Sequence, residues 1–98
     1  MNIEKITNGT TSSIKIIGRL DSVTSPEVSE KLKDYLLGVE HLILDCSELE
    51  YISSAGIRVI LKAQKQMKIQ GSMKMIHVND TVMEVFDITG FSDMFDIE

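Results

Sequence analysis

Two adjacent hydroxyl side chains, Ser53 and Ser54, carry the clearest chemistry in this sequence. They follow a strand-like apolar run at residues 42–44 and a polar turn, and an apolar-periodic segment begins directly after them. A serine in that position is typical of the start of a helix. The free N–H groups and the positive dipole end of such a helix favour negative charge added to a hydroxyl. The pair is therefore a candidate phosphorylation site.

A purely structural role for the pair is the simplest alternative. One of the two serines would cap the helix by accepting a hydrogen bond from a free backbone N–H, which contributes about 1 kcal/mol. The two roles are compatible, because a capping hydroxyl is exposed and α/β sheets place their sites at such strand–turn–helix junctions. A phosphate would add about −1.5 to −2 charges there, and the domain would not need to rearrange to accept it.

A nucleophilic serine is the rival chemical hypothesis, and it requires a base and an oxyanion site. The only histidines, His41 and His77, flank or lie in predicted strands without an obvious orienting acid. The Gly-x-Ser-x-Gly elbow of serine hydrolases is absent, and so is a glycine-rich loop for a nucleotide or dinucleotide cofactor. We therefore expect neither enzymatic activity nor a cofactor.

Two aspartates follow predicted strands, Asp21 before the first helix and Asp45 at the end of the apolar run. Each is expected to bond nearby backbone N–H groups as a turn residue. If their strands are neighbours, both also border the Ser54 turn and raise the negative potential there. Nothing in their spacing demands a divalent cation, so no metal site is predicted. Cys46 is expected to be a small packed hydrophobe.

The net charge of −5 and a pI near 4.9 argue against binding to nucleic acid or to anionic membrane surfaces. A single cysteine excludes an intrachain disulfide. No apolar stretch approaches the ~18–20 residues of a membrane span, and the N-terminus lacks the core of a signal peptide. A cytoplasmic location is the resulting expectation.

Apolar segments rich in valine, isoleucine and leucine alternate with helical patterns, which predicts an α/β fold. We expect one domain over residues 1–98, with a mixed sheet of about four to five strands in the order β-β-α-β-α-β-α-β. The predicted strands are residues 2–7, 13–18, 41–45, 74–78 and 94–97, with the third buried on both faces. Asn8-Gly9 is a strong hairpin signal between the first two.

Three predicted helices have recognisable ends. The first has Ser25 as its N-cap and Pro26 at the first helical position. The second covers residues 55–70 and stops at a glycine. The third is capped by Asn79 and closed by Gly90.

Three segments, in this order and spacing, closely resemble the STAS domain of bacterial anti-sigma factor antagonists. They are residues 18–21 (Gly-Arg-Leu-Asp), 44–47 (Leu-Asp-Cys-Ser) and 51–59 (Tyr-Ile-Ser-Ser-Ala-Gly-Ile-Arg-Val). Residues 85–91 are similar to the family's penultimate helix and the turn that follows it. The resemblance covers nearly the whole chain.

The resemblance implies partner switching. In that family the unmodified antagonist binds an anti-sigma factor that is also a serine kinase of the histidine-kinase-like ATPase type, and a sigma factor is released. The kinase then phosphorylates a serine at the start of the second helix, which ends the interaction. A metal-dependent phosphatase of the PP2C type restores it.

The family's switch pattern, Asp-Ser-Ser/Thr-Gly, can be aligned on Gly56. Ser54 then takes the position of the acceptor, Ser53 that of the acidic residue, and Ala55 that of the second hydroxyl. Ser53 becomes a competing acceptor, because it lies one residue away. The resemblance implies partner-binding roles for Asp21, Asp45, Ser53, Ala55, Gly56 and Arg58.

A constitutive interaction or scaffold module of the same fold, never phosphorylated, is the alternative function. The loss of the acidic residue at Ser53 motivates it. So does the end of the sequence at Glu98, where family members continue into a further helix. We therefore expect the C-terminal helix to be short or absent and one flank of the sheet to be exposed or covered by another chain.

Overall fold

Eight elements follow one another in the order strand, strand, helix, strand, strand, helix, strand, helix. The structure is a computed structural model and describes residues 2–98. The strands are β1 (Asn2–Asn8), β2 (Thr11–Leu20), β3 (His41–Asp45), β4 (Leu49–Ile52) and β5 (Ser72–Ile76). The helices are α1 (Ser25–Tyr35), α2 (Ser54–Gln70) and α3 (Asp80–Thr89).

The long strand β2 organises the sheet, because three other strands pair with it. β1 is antiparallel to β2 across the predicted hairpin, in which Gly9 has a φ of 65°. β3 pairs in parallel with residues 11–15 of β2, and β4 pairs in parallel with residues 18–20. β5 extends the sheet in parallel beyond β3. The predicted mixed sheet within an α/β domain is confirmed.

The core lies between the sheet and the helices. Ile14 and Ile16 of β2 are fully buried, and so are Ile57, Ile60 and Met67 of α2. Burying such a side chain stabilises the fold by roughly 1.5–3 kcal/mol. These contacts fix α2 against the sheet and therefore fix the position of its first residue.

Strand β3 departs from its predicted environment. Leu42 and Leu44 are buried, but Ile43 between them is only half-buried. The prediction that this strand is buried on both faces is therefore wrong. Cys46, directly after the strand, is fully buried as expected.

The element order differs from the predicted order in two places. Leu49–Ile52, where the sequence predicts a polar turn followed by the approach to α2 and no strand, forms β4. The predicted last strand reduces to one bridge, in which the Met75 N–H donates to the Asp96 carbonyl at 2.8 Å and the Glu98 N–H donates to the Met75 carbonyl at 2.9 Å. Within residues 2–98, no helix follows α3.

The helix ends are mostly those that the sequence predicts. Asn79 caps α3 by accepting the Val82 N–H at 2.8 Å, and Gly90 ends that helix with a φ of 81°. The N-cap of α1 is Thr24 rather than Ser25, which is the first helical residue. Of the helices that the structure describes, none is long and apolar enough to cross a membrane.

Candidate functional site

The serine turn is fixed to the end of β2. Leu20 of β2 pairs with Ile52 of β4, and the next residue, Ser53, donates its N–H to the Leu20 carbonyl at 3.0 Å. Ser53 is extended, with φ −104° and ψ 176°, and α2 begins immediately after it. The pairing of β4 with the end of β2 therefore sets where the first residue of α2 lies.

Ser53 is the N-cap of α2. Its side-chain oxygen accepts the Gly56 N–H at 3.4 Å, and its carbonyl accepts the Ile57 N–H at 2.9 Å. The residue is half-buried. The Gly56 bond satisfies one of the N–H groups that a helix start leaves free, and the Ile57 bond is the first bond within the helix itself. The structural role predicted for one of the serines therefore belongs to Ser53.

Ser54 is the first helical residue, and it is exposed. Within residues 2–98, its hydroxyl has no hydrogen-bond partner, and the N–H groups of Ser54 and Ala55 have no acceptor. The first turn of α2 contains no acidic residue. The Ser54 hydroxyl is therefore accessible. No carboxylate in the first turn of α2 neutralises the positive end of the helix dipole beside it.

Gly56 explains how the helix start comes so close to the sheet. A Cβ atom at this buried glycine would lie 2.6 Å from the Leu20 carbonyl oxygen and 2.8 Å from the Ile52 Cγ1 atom. Any side chain here would push α2 away from β2. The glycine thus holds the Ser53–Ser54 turn against the strand, while Ala55 beside it is half-buried.

Asp21 lies next to this turn. It follows Leu20 directly, as Ser53 follows the paired Ile52, so the two residues face each other across the strand ends. The Asp21 carboxylate accepts the N–H groups of Val23 at 3.0 Å and Thr24 at 3.1 Å. These bonds, led by that from Thr24, hold the pKa of Asp21 below its ordinary value against the opposing effect of burial.

An arginine packs over a tyrosine beside the same turn. The Arg19 guanidinium lies 4.4 Å from the centre of the Tyr51 ring, within cation–π range. Arg19 also lies 3.9 Å from the Asp21 carboxylate. Sequence reasoning did not single out this contact, because it depends on the pairing of β2 with β4.

Asp45 occupies a different part of the structure. It pairs with Lys15, five residues before Leu20 on β2, which places it roughly 16 Å away along the strand. Its carboxylate accepts the Ser47 N–H at 2.9 Å. Burial would raise the pKa of Asp45, but the Ser47 hydrogen bonds and the Lys15 charge outweigh it and lower the pKa. The expectation that both aspartates border the Ser54 turn is therefore wrong for Asp45.

The histidines also lie away from the serine turn. His41 begins β3 and its Nδ1 is 2.9 Å from the Ser72 hydroxyl, at the opposite end of that strand from Asp45. His77 follows Ile76, the last residue of β5, which pairs with Asp45. Within residues 2–98 there is no cluster of three or more histidine, cysteine, aspartate or glutamate side chains that could hold a metal ion.

Arg58 completes the set of residues singled out in the sequence. It lies on α2 four positions after Ser54 and is exposed. Within residues 2–98 it has no hydrogen-bond, ion-pair or ring partner. The structure thus brings Asp21, Ser53, Ser54, Ala55, Gly56 and Arg58 to one end of α2.

The sequence profile of the STAS domain matches residues 2–98. This chain belongs to the STAS domain family. The resemblance found in the residues is therefore confirmed over essentially the whole chain.

Two curated relatives of this STAS domain illustrate the relationship. BtrV of Bordetella bronchiseptica is 35% identical over 88 residues, which cover 84% of this chain and 76% of that protein. The anti-sigma-B factor antagonist of Bacillus subtilis is 29% identical over 98 residues, which cover 99% of this chain and 90% of that protein.

Solved structures share the fold of this STAS domain. The anti-sigma factor antagonist SpoIIAA in its unphosphorylated form superimposes with a TM-score of 0.80 at 18% identity, covering 99% of this chain and 88% of that chain. The Bacillus cell fate determinant SpoIIAA in its phosphorylated form superimposes with a TM-score of 0.72 at 17% identity, covering 99% and 91%.

Proposed function

We propose that this chain is an anti-sigma factor antagonist that is switched by phosphorylation of Ser54. Unphosphorylated, it binds an anti-sigma factor that is a serine kinase of the histidine-kinase-like ATPase type, so that a sigma factor is released. Phosphate on Ser54 ends this complex, and a PP2C-type phosphatase restores it. The role is regulatory rather than catalytic, in keeping with the names of its relatives.

The accessible hydroxyl of Ser54 at the start of α2 is the observation that supports this proposal best. It is exposed and free of hydrogen bonds within the described residues, whereas the Ser53 oxygen is half-buried and accepts the Gly56 N–H. A kinase that transfers a phosphoryl group to Ser53 would have to break that capping bond. The geometry therefore favours Ser54 over Ser53 as the acceptor.

The charge of the phosphate explains how the interaction would end. A phosphoserine carries about −1.5 to −2 charges at neutral pH. A partner that docks over the turn would have to desolvate this dianion, which is costly unless cations meet it. Val23, 84% exposed beside the turn, and Ala55 offer the apolar contacts that such docking would use. Asp45 would contact the partner only if the docked surface extended ~16 Å along β2 from the Ser53–Ser54 turn.

Intact-mass spectrometry tests the acceptor assignment. The wild-type chain is incubated with ATP and the serine kinases of this type from its source genome. The wild type should gain one phosphoryl group, and Ser54→Ala should gain none. The matched variant Ser53→Ala should still be modified, although its helix cap is weakened by about 1 kcal/mol. Equal modification of Ser54→Ala and wild type would refute the assignment.

A constitutive STAS interaction module is the second candidate, and the presence of Ser53 at the family's acidic position favours it. Intact masses of the protein isolated from its own cells distinguish the two. A phosphorylated species that appears under some growth conditions supports the switch. Its absence under all conditions tested, including those in which the kinase is expressed, supports the constitutive module.

A further inference from the structure

Arg58 stands where a side chain can reach a group attached to Ser54. The two residues are separated by four positions on α2, so their Cβ atoms are neighbours on one face, about 5–6 Å apart. Side chains on a helix tilt toward its N-terminus, which directs Arg58 back over Ser54. A long guanidinium side chain at this spacing can meet an anion carried by the first residue of the helix.

Within residues 2–98, Arg58 has no intramolecular partner in the unmodified protein. It is exposed, and within the described residues it has no hydrogen-bond, ion-pair or ring partner. The first turn of α2 contains no acidic residue with which Arg58 could pair. No contact within the described residues therefore offsets the conformational entropy that Arg58 would lose on being ordered, unless an anion is present.

The other charged groups beside the turn are already engaged. Arg19 stacks on Tyr51 at 4.4 Å and lies 3.9 Å from Asp21. The Asp21 carboxylate accepts two loop N–H groups, from Val23 and Thr24. Asp21 would repel an added phosphate, and Arg19 partly neutralises Asp21. Arg58 is thus the cation that is both within reach and without a partner.

We propose that Arg58 is the intramolecular counter-ion of the phosphate on Ser54. The planar guanidinium matches two oxygens of a phosphate monoester dianion. Phosphorylation would therefore do two things at once. It would place a dianion on the docking surface, and it would draw Arg58 away from any contact with the partner. This inference rests on the proposed phosphorylation of Ser54.

The experiment places phosphoserine at position 54 during translation, so that no kinase is needed. A 31P NMR titration then gives the second pKa of the phosphoserine, which is about 6 in free peptides. Removing the cation by Arg58→Gln should raise this pKa by about 0.3, a twofold increase in the proton affinity of the dianion. Arg58→Lys, which keeps the charge without the planar fork, should fall between the two.

Lys62→Gln is the matched control, because Lys62 is an exposed cation one further turn along α2. It should change the pKa by less than about 0.1, since it lies beyond the reach of an i,i+4 pair. The proposal is wrong if Arg58→Gln leaves the pKa unchanged, or if Lys62→Gln raises it equally. A kinase that does not modify Ser54 would refute the proposed function instead, and this titration would not be affected.

Discussion

Replacing Gly56 by alanine tests whether the close approach of α2 to β2 holds the site together. The added Cβ would lie 2.6 Å from the Leu20 carbonyl oxygen, 2.8 Å from the Ile52 Cγ1 atom and 2.9 Å from the Leu20 Cγ atom. The nearest of these is a backbone atom at the end of β2 that already accepts the Ser53 N–H, and it cannot move away cheaply. Either α2 shifts outward, or the end of β2 bends.

The expected cost can be worked out from two opposing effects. Overpacking a close-packed core typically costs 1–3 kcal/mol, here about 2–3 because one clash is with backbone. Alanine is preferred over glycine in a helix by up to about 1 kcal/mol. The net loss is therefore about 1–2 kcal/mol, which corresponds to a decrease in Tm of roughly 5–15 °C for a domain of this size.

Thermal and urea unfolding followed by circular dichroism measure this loss. Ser54→Ala is the matched control at the same helix end, because it removes an exposed, unbonded hydroxyl and adds no atoms to the interface. It should unfold within about 0.5 kcal/mol of wild type. A Gly56→Ala variant as stable as wild type would refute the argument that the glycine is required by the helix–strand contact.

Three further perturbations have defined outcomes. Because hydrogen bonds lower the pKa of Asp21, its contribution to stability is present above about pH 4 and is lost as pH falls through the lower folded pKa. Asp21→Asn should therefore flatten the loss of stability below pH 4 in urea titrations, and an unchanged pH profile would contradict this. Burial raises the pKa of Cys46 to about 12, so its thiol should resist a thiol-specific reagent at pH 8 until urea unfolds the chain; rapid labelling of the folded protein would contradict it. Asn79→Ala removes the cap on Val82 and the 2.8 Å bond to the Leu49 carbonyl. It should destabilise the fold by about 1–2 kcal/mol in urea unfolding, and a loss below about 0.3 kcal/mol would be inconsistent with that role.

The features set by local sequence were predictable. The start of α2 follows from a capping serine before an apolar-periodic segment, and the limits of α3 follow from Asn79 and Gly90. β5 ends at Ile76, two residues before the predicted end at residue 78. His77 has a left-handed φ of 58° that terminates the strand, and a histidine gives little warning of such a conformation.

The features set by pairing between distant segments were not predictable. β4 has only four residues, and its register with β2 shifts between Gly18 and Arg19. No periodicity in so short a segment reveals a strand. The same register decides that Asp21, and not Asp45, lies beside the serines.

The N-cap of α1 is a further feature that the sequence alone does not determine. Three hydroxyl residues precede or begin this helix, at positions 22, 24 and 25, and each is an acceptable cap. Thr24 occupies the cap position because the Asp21 carboxylate fixes the loop through the Thr24 N–H. Ser25 then donates its hydroxyl hydrogen to the Asp21 carbonyl from the first helical position.

The most direct test of the switch compares the binding of two forms of the same chain to its anti-sigma factor. One form is unmodified, and the other carries phosphoserine at position 54, introduced during translation. Isothermal titration calorimetry should give a complex for the unmodified chain and an affinity at least about tenfold lower for the phosphorylated chain, a difference of about 1.4 kcal/mol. Equal affinities for the two forms would contradict the account.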